Sequence, residues 1–315
     1  MKNPQDIPIL LIVFNRPEKV KRLIEELSVL QPKTIYIVAD GPRPHVPSDV
    51  ETTAATRAAA IDIPWECDVH TNFLEENLRS RYNATEYSAV FGLDWFFKEN
   101  EMGIILEDDC VPDQSFFTFC AQLLEKYKDD PKVMHISGNN FQDGTVRGDG
   151  SYYFSHFTSV WGWATWRRAW QQFHPAVADM DTFFAENRLE NFPIPEKAKR
   201  FGAKSYKSQK HWDSLWQYTI LYANGLNITP NKNLVSNIGF GLGATNTKND
   251  THPLSNIPRE AIGSIVHPTQ TTADVEADEY YFHKVYFTPL TKRIVLKVVK
   301  IFNSLTKEKQ VVRKV

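Results

Sequence analysis

The chain has 315 residues, 42% of them apolar, with 36 basic against 38 acidic side chains and a net charge of −2. That composition excludes a disordered or collagen-like chain and gives no global pull toward nucleic acid. Cys67, Cys110 and Cys120 are odd in number and lack Cys-x-x-Cys spacing, which excludes a disulfide frame or zinc site and reads as apolar filling in a reducing compartment.

Ile7 to Phe14 is a continuous apolar run, the pattern of a strand buried on both faces. Apolar residues at Val20, Leu23, Ile24, Leu27 and Leu30 predict a helix from Glu18 to Leu30, with Pro17 in its first turn. Thr34 to Ala39 reads as a second strand ending in Asp40-Gly41-Pro42, residues 49–60 as a short helix, and Trp65 to His70 as a third strand. A helix is expected from Arg81 to Phe97, burying Tyr87, Val90, Phe91 and Trp95. The next strand begins at Gly103 and runs into Glu107-Asp108-Asp109; a helix from Phe116 to Lys128 and a strand from Val133 to Ser137 follow. Strand–helix alternation with short connections predicts an α/β fold, a mostly parallel sheet with helices on both faces. Beyond residue 140 the chain turns rich in aromatics, Gly, Asn and Pro, with no internal repeat and no clear linker. This half is expected to extend the sheet and supply binding loops, giving one domain over residues 1–285 and a tail over 286–315.

The acidic run carries the strongest chemical signal. Three adjacent carboxylates repel one another and resist desolvation, so they call for a partner of opposite charge. At the carboxyl end of a strand in an open α/β sheet that partner is often a divalent cation held by oxygens, Mg²⁺ or Mn²⁺. The alternative is a solvated acidic loop, or a cap for the helix starting near Asp113.

Several segments taken in order resemble GT-A-fold glycosyltransferases, in particular the N-acetylglucosaminyltransferase I group and its bacterial relatives. They are Pro8-Ile9-Leu10-Leu11-Ile12-Val13-Phe14-Asn15-Arg16-Pro17, Ile35-Tyr36-Ile37-Val38-Ala39-Asp40, Ile104-Ile105-Leu106-Glu107-Asp108-Asp109, Trp161-Gly162-Trp163 and His211-Trp212-Asp213. The resemblance spans most of residues 7–245. It implies a nucleotide-sugar-binding half over 1–140 and an acceptor half over 141–285. The acidic triplet stands where that family keeps its variant of the Asp-x-Asp motif: Asp109 would ligate Mn²⁺ or Mg²⁺, and Glu107 and Asp108 would contact the nucleotide. Asp40 matches the position that accepts a hydrogen bond from the base; its other reading is a turn aspartate before Gly41-Pro42. Arg16 sits where a guanidinium reaches a nucleotide or its phosphates, or else faces solvent near a helix start. Arg79 and Arg81 precede the long helix and can approach a diphosphate, although the family shows no identical arginine there; a solvated basic turn is the alternative.

Trp163 lies in the aromatic-Gly segment that borders donor sugar and acceptor in the resembling enzymes, where a flat ring packs on a sugar; its alternative is core packing, expected for Trp166 and Trp170. Asp213 matches the place of the catalytic base, and inverting transfer needs a carboxylate to take the acceptor hydroxyl proton. A helix from Ser214 to Ala223 also makes Asp213 a plain N-cap. The glycine-rich run from Asn233 to Asn246 reads as a lid over the donor. His267 is either a further metal ligand or structural.

The resemblance implies transfer of a GlcNAc-like sugar from a UDP donor to a glycan or lipid-linked glycan hydroxyl, in surface polysaccharide assembly. A nucleotidyltransferase and a non-catalytic carbohydrate-binding protein are the competing classes. No signal-peptide h-region opens the chain, and no run of about 18 apolar residues occurs, so a cytoplasmic protein is expected. The segment 291–315 sets eight basic residues against Glu308 beside a partly helical apolar stripe. It reads as a basic amphipathic helix lying on an anionic membrane surface, or as a packed or disordered end.

Overall fold

A computed structural model of the protein describes residues 2–78, 88–208, 211–240 and 252–286. The first half alternates β1 (Ile9–Val13), α1 (Pro17–Leu30), β2 (Thr34–Ala39), α2 (Ser48–Ile61), β3 (Asp68–Phe73), α3 (Ser88–Glu99) and β4 (Met102–Glu107). The chain continues through β5 (Cys110–Pro112), α4 (Gln114–Lys126), β6 (Val133–Ser137), β7 (Tyr152–Ser155), β8 (Trp163–Trp166), α5 (Arg167–Trp170), α6 (Phe173–Ala178) and α7 (Met180–Ala185). It closes with α8 (Glu196–Ser208), α9 (Trp212–Tyr222), β9 (Leu226–Pro230), β10 (Val235–Asn237) and α10 (Val275–Tyr286).

Among the described residues the main sheet has eight strands in the order β3-β2-β1-β4-β8-β6-β9-β7. β3, β2, β1 and β4 are all parallel. β8 runs antiparallel to both β4 and β6, β6 is parallel to β9, and β7 closes the sheet antiparallel to β9. The aromatic second half therefore extends the sheet that the first half begins. Period-two alternation decides what each face buries. Ile9, Leu11, Ile37 and Leu106 point to the core shared with α1 and α4, while Leu10, Val38 and Ile105 point to the other, shared with α3 and α9. A truncation such as Leu11→Ala at this fully buried position should cost roughly 2–5 kcal/mol.

Pro17 opens α1, and its inward stripe is Val20, Leu23, Ile24 and Leu27. The cap of α4 is Asp113, whose side chain accepts from Ser115 N–H at 2.9 Å, so the acidic triplet does not serve as that cap. Two expectations are corrected. The third strand starts at Asp68 rather than Trp65, because Thr34 pairs with Asp68 and Trp65 turns aside to donate to the Pro32 carbonyl. On α3 the buried stripe is Ala89, Val90, Leu93, Phe96 and Phe97; Phe91 is 40% exposed and Trp95 only half-buried. This segment is apolar on nearly every side, so composition did not choose which stripe would face β1 and β2. Tyr87 lies outside the described residues. No described helix is long and apolar enough to cross a membrane.

Candidate functional site

The strand order places β1 between β2 and β4. The chain runs outward from β1 through β2 to β3 and then crosses back to β4 on the other side of β1, and in open α/β sheets ligands settle outside the strand carboxyl ends at such a switch point. Arg16 follows β1 and the acidic triplet follows β4, so the topology brings them together. Arg16 Nη2 meets Asp108 Oδ1 at 2.7 Å, and Nη1 donates to Asp109 Oδ2 at 2.8 Å. The countercharge that three neighbouring acids demand thus comes partly from the chain itself. Burial opposes the Arg16 charge, but Asp108 and Asp109 outweigh it and hold its pKa up. Burial pushes the Glu107 carboxyl up, and the charges of Asp109 and Asp108 push it further. Asp108 is also raised by burial, against the pull of Arg16. One guanidinium does not balance three acids, and Arg16 holds the Asp108 carboxylate as an ion pair rather than through an aligned hydrogen bond.

Sequence reading missed a second cation. Lys19, on the first turn of α1, senses Asp109 and Asp108; burial and then Arg16 lower its pKa. Its i+3 spacing from Arg16 was the available signal.

Asp109 is braced from behind by a segment more than a hundred residues away. β10 pairs antiparallel with β5, Ile238 N–H donates to the Asp109 carbonyl at 2.9 Å, and Asn237 Nδ2 donates to Asp109 Oδ1 at 3.2 Å. Gly239 follows immediately. A Cβ there would lie 2.0 Å from Asp109 Oδ2, so only glycine leaves that carboxylate in place. Neither Asn237 nor Gly239 was singled out individually in the sequence. The rest of the glycine-rich run, from Gly241, lies outside the described residues.

A cleft of about 170 Å³ opens at these strand ends, with Arg16, Asp40, Arg43, Asp108 and Trp212 in its wall. Asp40 is buried, and burial raises its carboxyl. Its Oδ1 accepts from Gly41 N–H at 2.8 Å and Leu78 N–H at 3.0 Å, so it orders the turn after β2 while facing the cleft. Arg43, another residue missed in the sequence, is held by Asp49 through Nε at 2.5 Å and Nη2 at 2.9 Å. That bidentate pair depresses Asp49 to about 2.

Next to this cleft lies a larger pocket of about 370 Å³, whose wall includes Asp213, Gln217, Trp161 and Phe240. Trp212 and Asp213 are consecutive in the first turn of α9, yet one lines the cleft and the other the pocket. The N-cap of α9 is His211, which makes no side-chain capping bond; Asp213 Oδ1 accepts from Ser214 N–H at 2.8 Å and the residue is exposed. Asp213 also adds its charge to those raising Glu107, so the two openings share one field.

Trp163 is corrected by its surroundings. It is 0% exposed, stacked on His135 with ring centroids 4.7 Å apart, and offers no free face to a sugar. Trp166 and Trp170 are likewise core. The turn between Trp161 and Trp163 depends on Gly162, which has φ +74° and packs against Val235. It sends Trp163 inward and leaves Trp161 on the pocket, edge-on to Phe141 and Phe240. Beneath the pocket, Trp216 Nε1 donates to His135 Nδ1 at 3.0 Å, so His135 Nε2 carries the proton donated to the Ser159 carbonyl at 3.0 Å. Burial drops the pKa of His135 to about 3.

His267 is structural: its Nδ1 bonds the Tyr152 hydroxyl at 3.0 Å. Tyr152 is on β7, four strand spacings or roughly 19 Å from β4. Arg79 and Arg81 lie outside the described residues. No family model matches this chain, and no curated protein does. Among solved structures, it is similar to mouse xyloside xylosyltransferase 1 in its apo form, with a TM-score of 0.36 and 12% identity over 69% of this chain and 81% of that one. The reading of the site therefore rests on its own geometry.

Proposed function

We propose that this chain is an inverting glycosyltransferase that binds a nucleoside-diphosphate sugar in the strand-end cleft and transfers the sugar to a hydroxyl held in the adjoining pocket. One observation carries the reading: Trp212 and Asp213, neighbours in one helical turn, divide their side chains between a charged cleft and a pocket able to hold a second substrate. Arg16 and Lys19 suit a diphosphate, and Asp213 suits the general base that takes the acceptor proton as the anomeric carbon is attacked. The donor is inferred to be a UDP-linked, GlcNAc-like sugar on the sequence resemblance, and the acceptor a glycan or lipid-linked glycan. Against nucleotidyl transfer, the β1–α1 connection Phe14-Asn15-Arg16 has no glycine to wrap a phosphate.

The residues fit a Mn²⁺ or Mg²⁺ ion. The donors are oxygens, and the three acids outnumber Arg16 and Lys19 beside them. Among the described residues no group of three or more His, Cys, Asp or Glu encloses a metal, so Asp109 would hold such an ion together with phosphate oxygens and water, with Glu107 and Asp108 toward the nucleotide. Its chemistry there is neutralisation of the diphosphate as charge develops on the leaving nucleotide.

The test is thermal stabilisation by UDP, GDP, CDP and ADP, each with and without Mn²⁺. One diphosphate should stabilise by about 2.7 kcal/mol at a hundredfold excess over its dissociation constant, only with the metal and not in Asp109→Ala. Absence of any shift would remove the donor reading. The basic segment 291–315 lies outside the described residues. We infer that it contacts anionic membrane; co-sedimentation with liposomes that survives its deletion would contradict this.

A further inference from the structure

The pocket beside Asp213 has two unlike ends. Its polar end is formed by Asp213, Ser214 and Gln217 of α9. Gln217 is already committed, because its Oε1 accepts from Thr158 N–H and Oγ–H while its Nε2 donates to the His156 carbonyl. Toward α8 and α10 the wall is mostly hydrocarbon: Ala198 and Phe201 of α8, Leu189 and Ile194 ahead of it, and Phe282 and Val285 of α10, with the Tyr218 hydroxyl already donated to the Gly202 carbonyl and the Ser205 and Tyr286 hydroxyls among them. At its rim Phe201 and Tyr286 are each 41% exposed, with ring centroids 5.2 Å apart. Large aromatic surface left in water at the edge of a concave, mostly apolar site is the pattern of a ligand pocket.

We propose that this pocket binds an amphiphilic acceptor, one sugar ring bearing a short hydrocarbon or aryl group, with the ring at Asp213 and the apolar group between α8 and α10. A second sugar there would set most of its hydroxyls against hydrocarbon, which is unfavourable, whereas a hydrocarbon group gains by leaving water. Volume agrees: about 370 Å³ falls within the roughly 300–1,000 Å³ of ligand pockets and takes one sugar ring with a short apolar group. The role given to Asp213 rests on the transferase reading; the affinity of the pocket for an amphiphile does not.

The test is titration of the full chain, followed by tryptophan fluorescence, with methyl β-glucoside and with octyl β-glucoside below its micellar concentration. Each buried methylene strengthens binding about fourfold, so octyl glucoside should bind at least ~30-fold more tightly than the methyl compound. Gly202→Leu should erase that gain. Position 202 lines the pocket on α8, where a Cβ meets Leu189 and Tyr218 at 3.3 Å and 3.5 Å, and leucine favours the helix. Equal affinities for the two glucosides would overturn the proposal, as would octyl binding untouched by the substitution. As a readout on the unmodified chain, a diazirine-bearing alkyl glucoside should label α8 or α10; labelling confined elsewhere also overturns it. Octyl binding lost in Gly202→Leu, with no nucleoside diphosphate stabilising the protein, would keep this proposal and defeat the transferase reading. A diphosphate shift without an octyl preference would do the reverse.

Discussion

The strand-end cleft and the pocket beside α9 adjoin, but they are built by opposite means. In the cleft, backbone topology does the work: β1, β2 and β4 end on one edge, and the residues that follow them bring Arg16, Asp40 and the acidic triplet together. In the pocket, segments scattered from Phe141 to Tyr286 contribute side chains that meet only through packing. The titrating groups differ in sign as well. Burial and mutual repulsion raise carboxylates in the cleft, while burial under the pocket keeps His135 neutral. The contrast suggests that the cleft handles charge and the pocket handles shape, and it can be broken one residue at a time.

The largest effect is expected from Asp213→Asn. Loss of a general base should lower kcat by about 10²–10⁴, with stabilisation by nucleoside diphosphate unchanged. If diphosphate binding falls in parallel, the two sites are not separable. Next comes Arg16→Ala, which strips Asp108 and Asp109 of the cation paired with them and leaves only Lys19 nearby. Breaking a buried pair in this way typically costs about 3 kcal/mol or more, readable as a lower urea midpoint. An unchanged midpoint would mean that the cleft carries its excess charge without Arg16.

A smaller and more local change is expected from Gly239→Ala. The methyl group must displace the Asp109 carboxylate, so metal-dependent diphosphate affinity should drop about tenfold, or ~1.4 kcal/mol, while octyl glucoside binding is retained. Calorimetric titration with the diphosphate and Mn²⁺ decides it.

The last effect concerns the ground under the pocket. The folded pKa of His135 lies near 3, below its ordinary 6.5, so between these values the unfolded chain binds a proton that the folded chain refuses. The contribution of this group is intact above pH 6.5 and is lost by about 1.4 kcal/mol for each pH unit below it. His135→Leu should be less stable overall, because Trp216 and the Ser159 carbonyl lose their partner, but should lack this acid slope. Urea melts from pH 7 to pH 5 measure both.

Sequence pattern determined the first half almost alone. The run ending at Phe14 became β1, the spacing from Val20 to Leu27 became the buried face of α1, and Thr34–Ala39 and Val133–Ser137 are strands with the expected bounds. Apolar runs and 3.6-residue spacing are local signals, and parallel strands carry their following residues to a common edge wherever the chain goes next. The acidic triplet could be placed at that edge before any contact was known.

Tertiary structure decided what local pattern does not encode. It chose which stripe of α3 is inward, sent Trp163 into the core and left Trp161 on the pocket. It paired Arg16 with Asp108 and Asp109, and set Asn237 and Gly239 behind Asp109. Each of these depends on side chains from distant segments competing for the same space and charge. The energy that selects among them exists only once those segments have met.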